Sequence, residues 1–216
     1  MIVVTGAGGD FCSGADLTSI RSDLTAEAQS GSAPARDLWS DINLAVLRDP
    51  SLATPVISAI EGVCFGAGAE LVGATDIRVA GQGARFAFPE VRHGVIPSGG
   101  TLARLVRQIP YASAMEMLLT GQERPADHLH AMGFVNRVVP DGTALDAALD
   151  LAGVVAANGP DAIRAVKRTV AVSVGATLAE AYVAEAAAGR AVLGGAEAAE
   201  GARAFVAKRQ PAWRLV

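Results

Sequence analysis

Cysteine is scarce in this chain of 216 residues. The two present, Cys12 and Cys64, stand among apolar residues and glycines, with no second pair and no histidine at metal-ligand spacing. A disulfide framework and a metal site both lack their residues, and the pair reads as reduced and structural. No run of about 18 apolar residues could span a bilayer. No basic start followed by an apolar core and a cleavage site opens the chain. The expectation is a cytoplasmic protein with no membrane partner. Positive charge is not in surplus either: 18 basic against 22 acidic residues give a net charge of −4, which argues against general affinity for nucleic acid. Dinucleotide signatures fail as well. Counted from Gly6, the third glycine of G-x-G-x-x-G is Phe11, and neither Tyr111 nor Tyr182 has a lysine four residues on. Ser13 lacks the flanking glycines of a nucleophile elbow, because position 11 is Phe.

What is present is apolar: 51% of residues are hydrophobic, enough to bury a sizeable core. The pattern predicts an α/β core over residues 1–142 and a helical C-terminal region over 143–216. The core is organised around Gly62–Ala80, reading GVCFGAGAELVGATDIRVA. Before it, Pro55–Ile60 is short, apolar and β-branched, a buried strand. Gly62, Gly66 and Gly68 let the backbone turn and approach a ligand closely. A helix follows from about Ala67, and Asp76–Ala80 reads as the next strand. Such a unit aims unpaired backbone N–H groups at one point, where negative charge is favoured. Glu70 lies one turn into that helix, and a carboxylate in so apolar a setting is paired, neutralised or working.

Met1–Gly6 is predicted as a strand. The following Ser13-Gly14-Ala15-Asp16-Leu17 parallels Ala67-Gly68-Ala69-Glu70-Leu71, so a second strand–turn–helix unit is implied, sharing one anion site with the first. Ser22–Arg36 reads as a surface loop, and Asp37–Arg48 as a helix with Leu38, Ile42 and Ala45 on one face and Trp39 in packing. Arg85–Phe88 alternates like a strand, which places Glu90, after Pro89, at a strand end where sites in α/β folds gather. An ion pair to Arg92 or Arg85 is the structural alternative for Glu90. His93 reads as a pocket or surface residue. Helices are predicted from Gly99-Gly100 to Gln108, over Ala112–Leu119 and over Pro125–Met132, and a last strand over Phe134–Val139. Beyond Gly142 the chain is Ala-rich and helical, with breaks at Asn158-Gly159-Pro160, Gly175 and Gly194-Gly195.

With those pieces placed, the chain resembles the enoyl-CoA hydratase/isomerase (crotonase) family over essentially its full length. VVTGAGGDFCSGADL resembles the family's first oxyanion-hole segment, VCFGAGAELVGATDIRVA its second, and FAFPEVRHGVIPSGG the acid segment that follows. MEMLLTG and EGARAFVAKRQPAW resemble later helices. The resemblance implies a ββα spiral core with a C-terminal helical oligomerisation region. It assigns the backbone N–H groups of Ala15 and Ala67 to an oxyanion hole and makes Glu70 and Glu90 the catalytic pair. Ser13, Gly14, Asp16, Leu17, Phe65, Gly66, Pro89, Pro97, Gly99 and Lys208 would contact substrate, Lys208 and Arg209 meeting a coenzyme A phosphate. The substrate would be an acyl-CoA thioester. No cofactor is implied, coenzyme A being part of the substrate, and a homotrimer or dimer of trimers is expected. The family's N-terminal strands, with an Arg-Pro…Asn-Ala-Leu type motif that helps hold coenzyme A, are missing before Met1, so a short form or fragment is expected. The loop Pro97-Ser98-Gly99-Gly100 is one residue shorter than the common form. Enoyl-CoA hydratase is the reading. An isomerase or other acyl-CoA lyase on the same scaffold, and a non-catalytic acyl-CoA-binding homologue, are the alternatives.

Overall fold

The computed structural model describes residues 1–16, 18, 38–48 and 52–213. Leu17, the expected loop Ser22–Arg36 and the side chains of Leu38 and Trp39 lie outside them. By contacts the chain divides into two units, one of Val3–Asp49 and Val56–Leu149, the other of Met1–Ile2, Pro50–Pro55 and Asp150–Val216.

In the first unit the chain runs from β1 (Ile2–Thr5) to helix α1 (Leu38–Ala45) and β2 (Val56–Ile60). All five residues of β2 are buried, as a strand covered on both faces requires, and each large apolar side chain removed from water contributes about 1.5–3 kcal/mol. Next come β3 (Val63–Phe65), α2 (Ala67–Ala74), β4 (Ile77–Gly81) and β5 (Arg85–Ala87). The four-stranded sheet has the order β1-β2-β4-β7, where β7 is Arg137–Val139, and the β2–β4 and β4–β7 pairs are parallel. A second sheet has the order β3-β5-β6, where β6 is Arg124–Pro125, parallel between β3 and β5. Helices α3 (Thr101–Gln108), α4 (Tyr111–Thr120) and α5 (Ala126–Ala131) complete this unit with Phe86, Phe88, Leu105, Met117, Leu129 and Phe134 in its core.

Three local expectations are corrected. The stretch after β2 is a turn at Gly62 followed by a strand, so β3 and not β2 feeds α2. Val63–Phe65 has only three residues, and it is a strand because Arg85–Ala87 pairs with it residue for residue. The last strand begins at Arg137 rather than Phe134. The Phe134 N–H donates to the Leu129 carbonyl and its own carbonyl accepts from Arg78, so its backbone is already satisfied outside the sheet. The Arg78 guanidinium also lies 4.2 Å over the Phe134 ring. The helix expected to Arg48 ends at Ala45, and Leu47 takes a left-handed φ of 52°. Val46, not Ala45, is the buried residue below Ile42.

Helix α6 (Ala144–Ala156) continues the chain into the second unit, which holds α7 (Pro160–Ser173), α8 (Leu178–Leu193) and α9 (Ala196–Val206). Pro160 stands at the start of α7, where its missing N–H costs nothing. A capping box of Thr177 and Glu180 starts α8. Val166, Val170, Tyr182, Val183, Leu193, Phe205 and Val206 all remain exposed on these helices. Among the described residues no helix is long and apolar enough to cross a membrane.

Candidate active site

The two turns noted in the sequence run side by side. Phe65 donates its N–H to the Cys12 carbonyl at 2.9 Å, and the Cys12 N–H donates to Val63 at 3.0 Å, so Cys12 and Cys64 form a parallel bridge. Two residues on, Gly14 meets Gly66: a Cβ on Gly66 would lie 3.6 Å from the Gly14 Cα, and Gly66 itself has φ 52° and ψ −123°, open mainly to glycine. One residue further, Ala15 and Ala67 both line one cavity. Ala67 is the first residue of α2, so its N–H has no intrahelical acceptor, and no side chain caps this end.

Glu70 is 6% exposed. Its Oε1 accepts the Gly99 N–H at 2.7 Å. Burial pushes its carboxyl above the usual range, while hydrogen bonds from Gly99 and from the Thr101 side chain and N–H, with the Arg104 charge, pull it back. The Gly66 N–H donates to the Ala87 carbonyl at 3.0 Å and so ties α2 to the end of β5. From there a 3₁₀ turn, Pro89–His93, carries Glu90. Burial, reinforced by the negative charge of Glu70, pushes the Glu90 carboxyl up to about 7 against hydrogen bonding to its own backbone. The ion pairs considered for Glu90 do not form: Arg85 meets Glu123, and Arg92 donates to the Thr120 carbonyl. Buried Oε2 of Glu90 has no hydrogen-bond partner among the described residues.

Ser13, Gly14, Ala15, Gly66, Ala67, Glu70, Pro89 and Glu90 line one cavity of about 330 Å³, joined by Ile42, His93, Val95, Ile96 and Ser98. The other expected contacts fall elsewhere. Asp16 accepts from the Thr18 N–H at 2.9 Å and hydroxyl at 2.6 Å. Phe65 is half-buried in β3, Pro97 is buried, and Gly99 lies behind Glu70. Lys208 is exposed in the second unit, where Arg209 pairs with Glu200 at 2.7 Å. Sequence reasoning missed the wall formed by Ile42, Val95, Ile96 and Ser98. Its one available signal was the exposed apolar pair Val95-Ile96 between a glycine and a proline. Among the described residues no three His, Cys, Asp or Glu side chains converge as a metal site requires. The Cys64 thiol, pushed well up by burial and then by Cys12, is inert packing beside the site.

This cavity has the makings of carbonyl chemistry: the open start of α2 and two carboxyl groups of unlike environment line it together. A profile of the enoyl-CoA hydratase/isomerase family matches residues 1–215. The chain is 40% identical over 211 residues to the enoyl-CoA hydratase EchA19 of Mycobacterium tuberculosis, covering 97% of this chain and 77% of that one. It is 36% identical over 229 residues to the mevalonyl-coenzyme A hydratase SIDH of Beauveria bassiana, covering 98% and 77%. The crystal structure of an enoyl-CoA hydratase from Mycobacterium tuberculosis superposes with a TM-score of 0.84 at 36% identity, over 98% of this chain and 79% of that one. Motifs, fold, family profile, relatives and solved structure agree, and the chain belongs to the enoyl-CoA hydratase/isomerase family.

Proposed function

We propose that this chain is an enoyl-CoA hydratase, adding water syn across the 2,3-double bond of an acyl-CoA thioester. The observation that carries this is the meeting of Glu70 and Glu90 in one cavity that Ala15 and Ala67 also line, Ala67 at the open start of its helix. The thioester oxygen sits between the N–H groups of those two alanines, and the enolate-like charge that develops on it is stabilised there, each donor being worth about 10²–10³ in rate. Glu70, kept toward its carboxylate by Gly99, Thr101 and Arg104, holds water and takes a proton from it as the water oxygen bonds to the β-carbon. Glu90, with a carboxyl at about 7, gives a proton to the α-carbon. Paired carboxyls in different environments divide acid and base work in this way. The exposed apolar residues of α7, α8 and α9 support a further part of the reading, a homotrimer or pair of trimers.

Hydration of a panel of 2-enoyl-CoA thioesters, followed by loss of the conjugated thioester absorbance, tests the activity, with product analysis separating hydration from double-bond migration. Glu70→Gln and Glu90→Gln are each expected to cut turnover severely while leaving the fold and thioester binding intact. A Glu70→Gln enzyme at the parental rate refutes the two-carboxyl mechanism.

A further inference from the structure

Arg104, one turn into α3, reaches in two directions. Its Nη2 donates to the carbonyls of Leu47 at 2.7 Å and Arg48 at 3.0 Å, just beyond α1, the helix whose Ile42 lines the cavity. Carbonyls at a helix end lack intrahelical partners. Leu47 there holds φ 52°, a conformation costly for leucine that persists only where neighbours impose it. Toward the site, Gly100 packs on the same guanidinium, for a Cβ there would lie 3.1 Å from Nη1. The residue before it, Gly99, donates to Glu70. Nη1 is buried with no hydrogen-bond partner among the described residues.

From this arrangement we infer that Arg104 is a positioning residue for the hydration: one guanidinium ties the chain beyond the α1 wall of the cavity to the Gly99-Gly100 turn that holds Glu70. The inference rests on the reading of Glu70 as the base. The charged groups around Glu70 are Arg104 from α3 and Glu90 from the 3₁₀ turn, with Arg48 beyond α1 opposing Arg104, and His93 is the remaining titratable group lining the cavity. Arg104 is thus the cation that favours ionisation among them.

The full chain is labelled with carboxyl-¹³C glutamate, the Glu70 signal is assigned by its loss in Glu70→Gln, and its titration is followed in Arg104→Gln and Arg104→Lys. In Arg104→Gln the Glu70 titration moves up, because the cation that favours its ionised form is gone, and the acid limb of kcat/KM moves with it. Arg104→Lys keeps the charge but not the planar fork, so the titration stays parental while KM rises severalfold. A Glu70 titration unmoved in Arg104→Gln overturns the inference. If that variant does not fold, Arg104→Lys decides: a parental KM, or a displaced Glu70 titration, overturns it. Because the carboxyl is read directly, loss of the base reading, seen as full activity in Glu70→Gln, stays distinguishable from loss of the role of Arg104.

Discussion

Adding one methyl group at Gly99 should disable the site from behind. A Cβ there would stand 2.6 Å from Val46 Cγ2, 2.9 Å from Glu70 Oε2 and 3.0 Å from Glu70 Cδ. Comfortable carbon contacts are about 3.5–4.0 Å, so the relief needed is on the order of 1 Å. Val46 is buried and has nowhere to go, and overpacking of this kind costs about 1–3 kcal/mol. The Glu70 carboxylate is the part that can yield, but yielding stretches the 2.7 Å bond from the Gly99 N–H, a charged hydrogen bond worth about 1.5–3 kcal/mol. Misplacing a reacting group by about 1 Å costs roughly 10²-fold in rate. Gly99→Ala is therefore expected to lose about 10²-fold in kcat for 2-enoyl-CoA hydration. Its Tm should fall by roughly 2–12 °C, taking about 2–4 °C per kcal/mol at this chain length. The control is Gly73→Ala on the same helix as Glu70, where an added Cβ meets nothing within 4 Å. It should keep its activity and gain about 0.5–1 kcal/mol of stability from helix propensity. Parental kcat in Gly99→Ala would refute the idea that Gly99 sets the position of Glu70, and equal losses in both variants would refute the steric origin of the effect.

The remaining expectations concern the same cavity. Since Glu90 must carry a proton to donate it and titrates at about 7, kcat/KM should fall as pH rises through that value, tenfold per unit beyond it, and a flat profile to pH 9 would remove Glu90 as the acid. The stability sign is related: both carboxyls are raised in the folded state, so the folded protein binds more protons than the unfolded chain. Their contribution is complete below the ordinary glutamate range and is lost as pH rises toward 7, visible as a pH-dependent Tm that flattens in Glu90→Gln. The Glu70→Gln, Glu90→Gln double variant should lose far less than the product of the single losses, and strict multiplicativity in kcat would show that the two do not act as one unit. Ala67→Pro removes one N–H at the first residue of α2 without breaking an intrahelical bond. Circular dichroism should stay parental while turnover falls by about 10² or more, and a folded variant with full activity would free that amide of any role.

How much of this was legible beforehand follows from what each residue depends on. Glu70 and the start of α2 could be read because their cause is local: glycines, a helix-forming run and an isolated carboxylate within nine residues. Glu90 was legible as a strand-end carboxylate, although its freedom from Arg85 and Arg92 is decided by Glu123 and by the Thr120 carbonyl, distant in sequence. β3 was not legible, because three residues between two left-handed glycines become a strand only when Arg85–Ala87 pairs with them. Ile42 and Ile96 were hidden for a related reason, since nothing in their own neighbourhoods says that α1 and the loop after Gly94 face the same space.

The lock between Cys12 and Cys64 has a consequence for how such a protein can change over time. The two turns that lead to Ala15 and Ala67 are joined at Cys12 and Cys64 by main-chain bonds alone, at the spacing of neighbouring parallel chains, about 4.8 Å. No side chain sets that separation, so few substitutions can alter it. The walls, by contrast, are side chains: Ile42 on α1, His93 on the 3₁₀ turn, and Val95 and Ile96 in the loop after it can each be exchanged without touching those main-chain bonds. Mutation can therefore drift through the cavity lining while the paired backbone is inherited unchanged, a division between a fixed main-chain frame and variable walls that lets one scaffold diversify in the shape it encloses.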